Sequence, residues 1–306
     1  MTFTFRPAQR TNVSLLIGLA GGTGSGKTYT AMRLASGIAG DKPFAVIDTE
    51  AGRASHYADR FRFDVGELRP PFSPEAYEQA IMAADAAGYP VIVVDSMSHE
   101  YAGDGGILDM QEAEFTRMGS REVTKVASWI KPKGEHKHFM QKLLQVRAHL
   151  ILCFRAEQKI EMVKMDGKMQ IVPKQSLTGL DGWIPVTEKN VPFELTASFL
   201  LTADAPGIPK PIKLQEQHRA LFPLDQPISE DSGRRIAEWA TGAPDWRQAH
   251  LKALRGAAAL PDLQTAFVAA QAAARGQKDA AAMAEFVSLK DLAKARIESE
   301  HFRSAE

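Results

Sequence analysis

Five short apolar runs punctuate the chain: VSLLIGLA at 13–20, PFAVID at 43–48, PVIVVD at 90–95, HLILCF at 149–154 and FELTASFLL at 193–201. They are too short for buried helices and rich in branched residues, so each predicts a strand. Between them, apolar residues at three- and four-residue spacing predict helices over 27–39, 74–87 and 121–148, the last interrupted near Pro132 and Gly134. This alternation predicts an α/β fold, a mainly parallel central sheet covered by helices. After Cys153 the rhythm changes. In IEMVKMDGKMQIV, two alternating arms flank Asp166 and Gly167, the signature of a two-residue hairpin.

A second change comes at Gly242, Ala243 and Pro244, beyond which the chain is alanine-rich. The expected organisation is an N-terminal tail (1–12), an α/β core (13–241) and a small helical module (242–306). Within the module, helices are expected over 246–258, 261–274 and 279–299. Phe286, Leu289, Ala293 and Ile297 form a stripe in the last, expected to face a core.

Lys+Arg and Asp+Glu both number 37, which excludes a global basic field, so any nucleic-acid contact must come from local charge. The single cysteine, Cys153, excludes an internal disulfide and suits a reducing compartment. The run at 13–20 is too short to span a bilayer, and the expected location is the cytoplasm.

The first strand runs into GGTGSGKT, from Gly21 to Thr28, which opens the first helix. Glycines there let amide hydrogens converge on phosphates at the positive end of a helix, Lys27 pairs with the outer phosphates, and Thr28 offers a hydroxyl to Mg2+. The expected ligands are therefore ATP and Mg2+. Candidate nucleotide-contacting positions are Gly21, Gly22, Thr23, Gly24, Ser25, Gly26, Lys27, Thr28 and the adjoining Tyr29. A carboxylate on a neighbouring strand must hold the metal's water shell, and Asp95 at the end of VIVVD supplies it. The next residue is Ser96 rather than a glutamate. The candidate base is instead Glu50, closing AVIDTE.

Strand, GGTGSGKT, helix, DTE and VIVVDS together resemble the RecA-type recombinase core over about 13–240. That resemblance implies a RecA-like P-loop NTPase fold, with Glu50 activating water and Tyr57 stacking on adenine. DTEAGR, YPVIVVDSMSHE and CFRAEQK look more narrowly like phage-encoded RecA-core ATPases of single-strand annealing. The chain departs from the pattern where the family senses the terminal phosphate with glutamine. Arg155 stands nearby and is the candidate sensor. The resemblance is not expected to extend to RecA's N-terminal oligomerisation domain, since a dozen residues precede the first strand here; Phe5 to Ala8 reads FxxA, like the segment through which eukaryotic relatives polymerise, and Phe267 to Ala270 fits the same short pattern.

Two segments are candidates for single-stranded DNA. Between Arg121 and Arg147 seven basic residues face two acidic ones, with Lys125, Lys131 and Lys133 around Trp129. The alternative is a solvated helix face with Trp129 turned inward. The hairpin is the second candidate, carrying Lys159, Lys164, Lys168 and Lys174. The resemblance implies a homo-oligomer in which Lys210, Lys213 or Arg219 reach a neighbour's ATP, although exposed charge on a terminal strand reads equally well. His136 and His138 read as surface histidines rather than a metal site. The C-terminal helices either recruit a single-strand-binding protein or cap the core. The leading expectation is an ATP-dependent, single-stranded-DNA-binding recombination ATPase. A motor or helicase-loading ATPase and a non-catalytic ATP-binding assembly module are the alternatives.

Overall fold

A strand buried on both faces can satisfy its amides and carbonyls only by pairing with other strands. The computed structural model, which describes residues 13–165, 168–173, 180, 182–242, 246–277 and 279–303, resolves this need with one eight-stranded sheet. Its members are β1 (Leu16–Gly21), β2 (Phe44–Asp48), β3 (Phe63–Glu67), β4 (Val91–Asp95), β5 (His149–Gln158), β8 (Trp183–Pro185), β9 (Ala197–Thr202) and β10 (Ala205–Lys213). The order across the sheet is β10-β9-β1-β5-β4-β2-β3, all parallel except β10, while β8 lies antiparallel on the end of β5. β6 (Ile160–Met165) and β7 (Lys168–Pro173) form a separate antiparallel pair.

Alternating side chains build two cores. Ile17, Leu19, Val93, Ile151 and Phe199 face α1 (Lys27–Ala39) and α8 (Glu230–Ala240). Ile92, Val94, Leu150, Leu152 and Phe154 face α2 (Pro74–Ala86) and α5 (Ile130–Leu143). Between β4 and α5 the chain forms α3 (Ser98–Ala102) and α4 (Ile107–Arg117). Short helices α6 (Val191–Glu194) and α7 (Glu216–Arg219) flank the last two strands. Helices α1 and α8 meet backbone to backbone. A Cβ on Gly37 would lie 2.0 Å from the Glu230 carbonyl oxygen, and one on Gly233 would lie 2.3 Å from that of Leu34. Only glycine permits such an approach. Arg33 clamps the same junction with a forked pair of bonds to Glu230, the shortest 2.7 Å.

Residues 242–306 form a second compact unit, with α9 (Trp246–Gly256), α10 (Leu260–Gly276) and α11 (Ala280–Arg303). Phe286, Ala293 and Ile297 are buried with Leu251, Leu254 and Leu263, and Leu289 packs against them, so the stripe is core. A buried Arg247–Asp279 ion pair, 2.7 Å, lies within this unit, and Asp279 also caps α11 through the Ala282 amide. Among the described residues no helix is long and apolar enough to cross a membrane.

The pattern misplaced several elements. Phe193 to Leu195 belong to a short helix and its exit rather than to β9, and Pro192 at its start favours that turn. Pro132 does not interrupt α5, because it sits in the first turn, where its missing N–H has no partner to lose. Strand β10 escaped notice because it carries Pro206, Pro209 and Pro211, tolerable at a sheet edge. Strand β3, where Phe63 and Val65 alternate with Asp64, is a mostly exposed edge that the sequence reading did not assign. Asp166, Gly167 and Lys174 lie outside the described residues, as do Phe5 to Ala8. Register places Met165 opposite Lys168, with two residues between the arms.

His149 at the start of β5 accepts the Leu15 amide through Nδ1, 3.1 Å. Burial pushes its pKa down to about 4. The unfolded chain, titrating near about 6.5, therefore binds the extra proton, so stability present above that value is lost as pH falls toward the folded one. Urea unfolding is expected to show about 2 kcal/mol less stability from this group at about pH 5 than at about pH 7. His149→Asn, which retains an acceptor but does not titrate, removes that part of the pH dependence.

Candidate nucleotide site

Parallel pairing brings the carboxyl ends of β1, β5, β4 and β2 to one edge. Gly21 is opposite Arg155, Asp95 opposite Cys153, and Asp48 opposite Asp95. Open parallel sheets hold their ligands at that edge. A cleft of about 570 Å³ occupies it, lined by the glycine loop with Glu50, Tyr57, Asp95 and Arg155. Gly24 and Gly26 adopt positive φ angles of 77° and 82°, which turn the loop before α1 begins at Lys27. Ser25 donates to the Gly22 carbonyl at 2.8 Å, and Lys27 donates to the same carbonyl at 3.0 Å. That ammonium is therefore folded over the loop it serves.

Thr28 donates its hydroxyl to Asp95 Oδ2 at 2.6 Å. Burial raises the Asp95 pKa, and the neighbouring charges of Glu50 and Asp48 push the same way, against the Thr28 bond and Lys27. A buried carboxylate short of positive charge beside a hydroxyl suits a divalent cation. Magnesium takes one or two protein ligands and otherwise phosphate oxygens and water, so Thr28 and Asp95 fit it. The glycine loop, Lys27 and the helix start fit a triphosphate.

Glu50 lines this cleft and is partly buried. Its Oε1 accepts Arg155 at 3.0 Å and its Oε2 accepts Arg53 at 3.0 Å. Burial opposes its ionisation, but the bonds and charges of Arg155 and Arg53 win and hold its pKa below the usual carboxylate range. Tyr57 and Tyr29 form an aromatic wall at the α1 end, with ring centroids 5.9 Å apart and Phe61 beyond.

Three contributors escaped sequence reading. Asp48 is buried, accepting the Glu50 amide at 2.6 Å and the Ala54 amide at 2.8 Å, and so shapes the turn that presents Glu50. Its position two residues before Glu50, ahead of Ala51 and Gly52, was a readable Asx-turn signal. Arg53 is the second. The third is the Thr49 hydroxyl, which takes the Ser96 amide at 2.8 Å and lies 2.7 Å from His99 Nδ1 and 3.1 Å from the Ser96 carbonyl oxygen. All three bonds coexist when His99 Nδ1 carries the proton and Thr49 donates to Ser96. Ser96, joined to Asp95 by a cis peptide, thus stitches β2 to β4 and has no acidic function. Cys153 is fully buried, and burial raises its pKa, leaving it an inert thiol.

Other candidate residues lie elsewhere. Lys125 pairs with Glu122, Lys131 with Glu114 and Glu135, and Lys133 sits 5.6 Å over the Trp129 ring, occupying a face that a base would need. Lys159 is exposed between β5 and β6, Lys164 lies on β6 and Lys168 on β7, and Ile160, Met162 and Met169 of the same arms are exposed. Lys213 donates to its own chain's Phe193 and Leu195 carbonyls at 2.7 and 2.6 Å, Arg219 bonds Glu216, and Lys210 lies on β10. His136 is not a surface histidine. It is buried against Glu100 at 2.8 Å, and although burial opposes its charge, that bond raises its pKa. His138 is exposed, 3.8 Å from Glu78.

With β5 standing between the phosphate-loop strand and the Asp95 strand, the fold is that of a RecA-like P-loop NTPase. A family model described as an AAA domain, AAA_24, matches residues 14–184, more than half the chain, and the protein belongs to that family. A KaiC-like protein from the hyperthermophilic archaeon Pyrococcus horikoshii is similar at 15% identity over 61% of this chain and 71% of that chain, with a TM-score of 0.32. No curated protein matches.

Asp48→Ala strands two amides beneath the site, and is expected to cost about 2 kcal/mol in urea unfolding. Asp48→Asn, which keeps one acceptor oxygen, is expected to cost less by the same measurement.

Proposed function

We propose that this protein is a magnesium-dependent ATPase that couples ATP turnover to binding of single-stranded DNA, as a recombination protein of the annealing type. Bound magnesium supplies charge neutralisation at the outer phosphates. Lys27 supplies further positive charge there, Thr28 and Asp95 hold the cation and its water, and the Tyr29–Tyr57 wall receives the base. Glu50, ionised and aimed into the cleft, orients water and takes its proton. The observation that carries the reading is the Glu50 carboxylate in the same cleft as the glycine loop and Asp95.

Coupling to DNA follows from continuity of the chain. Arg155 touches Glu50 from β5, and that strand ends at Gln158, separated by Lys159 alone from the hairpin arm that begins at Ile160. A terminal phosphate drawing Arg155 off Glu50 would free the base and pull on the strand that leads to the hairpin. Lys159, Lys164 and Lys168 are the cations for the DNA backbone. The annealing kinship and a phage or prophage origin rest on DTEAGR, YPVIVVDSMSHE and CFRAEQK. A homo-oligomer in the host cytoplasm accords with that kinship, with Lys210 or Arg219 facing a neighbour's nucleotide and the C-terminal helices recruiting a single-strand-binding protein.

Glu50→Gln is expected to leave ATP binding intact and cut hydrolysis about 100-fold or more. Hydrolysis measured with and without oligothymidine, alongside assembly mass, tests the coupling. Turnover and DNA affinity that ignore each other would leave an ATPase without the recombination role. Arg155→Ala removes one of the two arginines that hold Glu50 below its usual range. The acid limb of the hydrolysis rate is therefore expected to move to higher pH, read from a pH–rate profile.

A further inference from the structure

The three most exposed large apolar residues described are Val123, Val126 and Ile130, at 84%, 82% and 74% exposure, and Leu144 follows closely at 70%. Val123 and Val126 sit on the turns before α5, Ile130 opens that helix, and Leu144 caps it. Helical spacing places Ile130, Gly134, Lys137, Gln141 and Leu144 on one face, about 21 Å long. The opposite face is fixed inward, with His136 bonded to Glu100 and Phe139, Met140 and Leu143 buried. Val123, Val126 and Ile130, three exposed aliphatic groups within eight residues, together with Leu144 at the far end of the same face, mark a contact surface rather than ordinary surface chemistry.

Charge selects the occupant. Between Arg121 and Leu144 there are six basic residues (Arg121, Lys125, Lys131, Lys133, Lys137, Lys142) and two acidic ones (Glu122, Glu135), and with Glu114, which pairs with Lys131, counted as well the local balance is +3 on a chain whose formal net charge is zero. Nucleic acid suits the charge but not the side chains. Aliphatic groups offer no stacking platform, and the aromatic ring present, Trp129, already carries Lys133 over its face. An amphipathic helix with acidic flanks meets both requirements. Its aliphatic side chains would cover Val123, Val126, Ile130 and Leu144 while its carboxylates face Lys133 and Lys137.

We propose that residues 121–144 form a docking surface for an acidic amphipathic helix of a partner protein, separate from the nucleotide cleft and independent of hydrolysis. The test uses the full chain, a labelled peptide of about five helical turns with Glu and Leu at helical spacing, a scrambled peptide of the same composition, and labelled oligothymidine. The ordered peptide is expected to bind at least about tenfold more tightly than the scrambled one. Val126→Ser with Ile130→Ser, and separately Lys133→Glu with Lys137→Glu, are each expected to weaken it about tenfold, while ATP turnover stays unchanged. The exposed positions keep both double variants foldable. Equal binding of the two peptides overturns the proposal. So does a Val126→Ser, Ile130→Ser protein that loses oligothymidine affinity instead, or one that loses assembly mass while still binding the peptide, since those results assign the surface to nucleic acid or to a second copy.

Discussion

The parallel register of β1, β5 and β4 is the constraint from which the site follows. Backbone bonding aligns Gly21 with Arg155 and Asp95 with Cys153, so the phosphate loop, a guanidinium and a carboxylate reach the same sheet edge without any side chain steering them there. A one-residue slip in either pairing would turn those side chains to the opposite face. The 2.6 Å contact between Thr28 and Asp95 records how closely the two outer strands of this trio are matched across the strand between them.

Around that frame, electrostatics divides the carboxylates by environment. Asp95 is buried among negative neighbours and resists ionisation, whereas Glu50 is held ionised by two arginines. Asp48 is spent on backbone amides. Three acids within one cleft edge thus take three separate tasks, set by what each touches rather than by residue type. The same division leaves Ser96 free to follow Asp95: the ionised carboxylate that lines the cleft, Glu50, arrives from the turn after the neighbouring strand.

Much of this was legible beforehand because the signals are local. A buried strand, a glycine loop and a helix follow each other within residues 16–39, and the helix begins at Lys27 as its pattern indicates. Asp95 and Glu50 were readable as polar residues closing apolar runs. What escaped depends on partners distant in sequence. The burial of His136 follows from Glu100 on another helix, which no spacing rule reports. Strand β10 is specified by its place beside β9, which overrides the low strand propensity of its prolines. The basic segment at 121–147 was visible as charge, but only coordinates separate paired lysines from exposed aliphatic groups.

The glycine seam between α1 and α8 has a mechanical consequence. Two helices in backbone contact, pinned further by Arg33 and Glu230, cannot slide past one another without a carbonyl striking a Cα, so they move as one lever. That lever starts at the lysine of the phosphate loop and ends at Ala240, one residue before the first unit gives way to the second. A displacement of the loop would be passed along α1 to its glycine seam with α8, rather than dissipated between two independent helices.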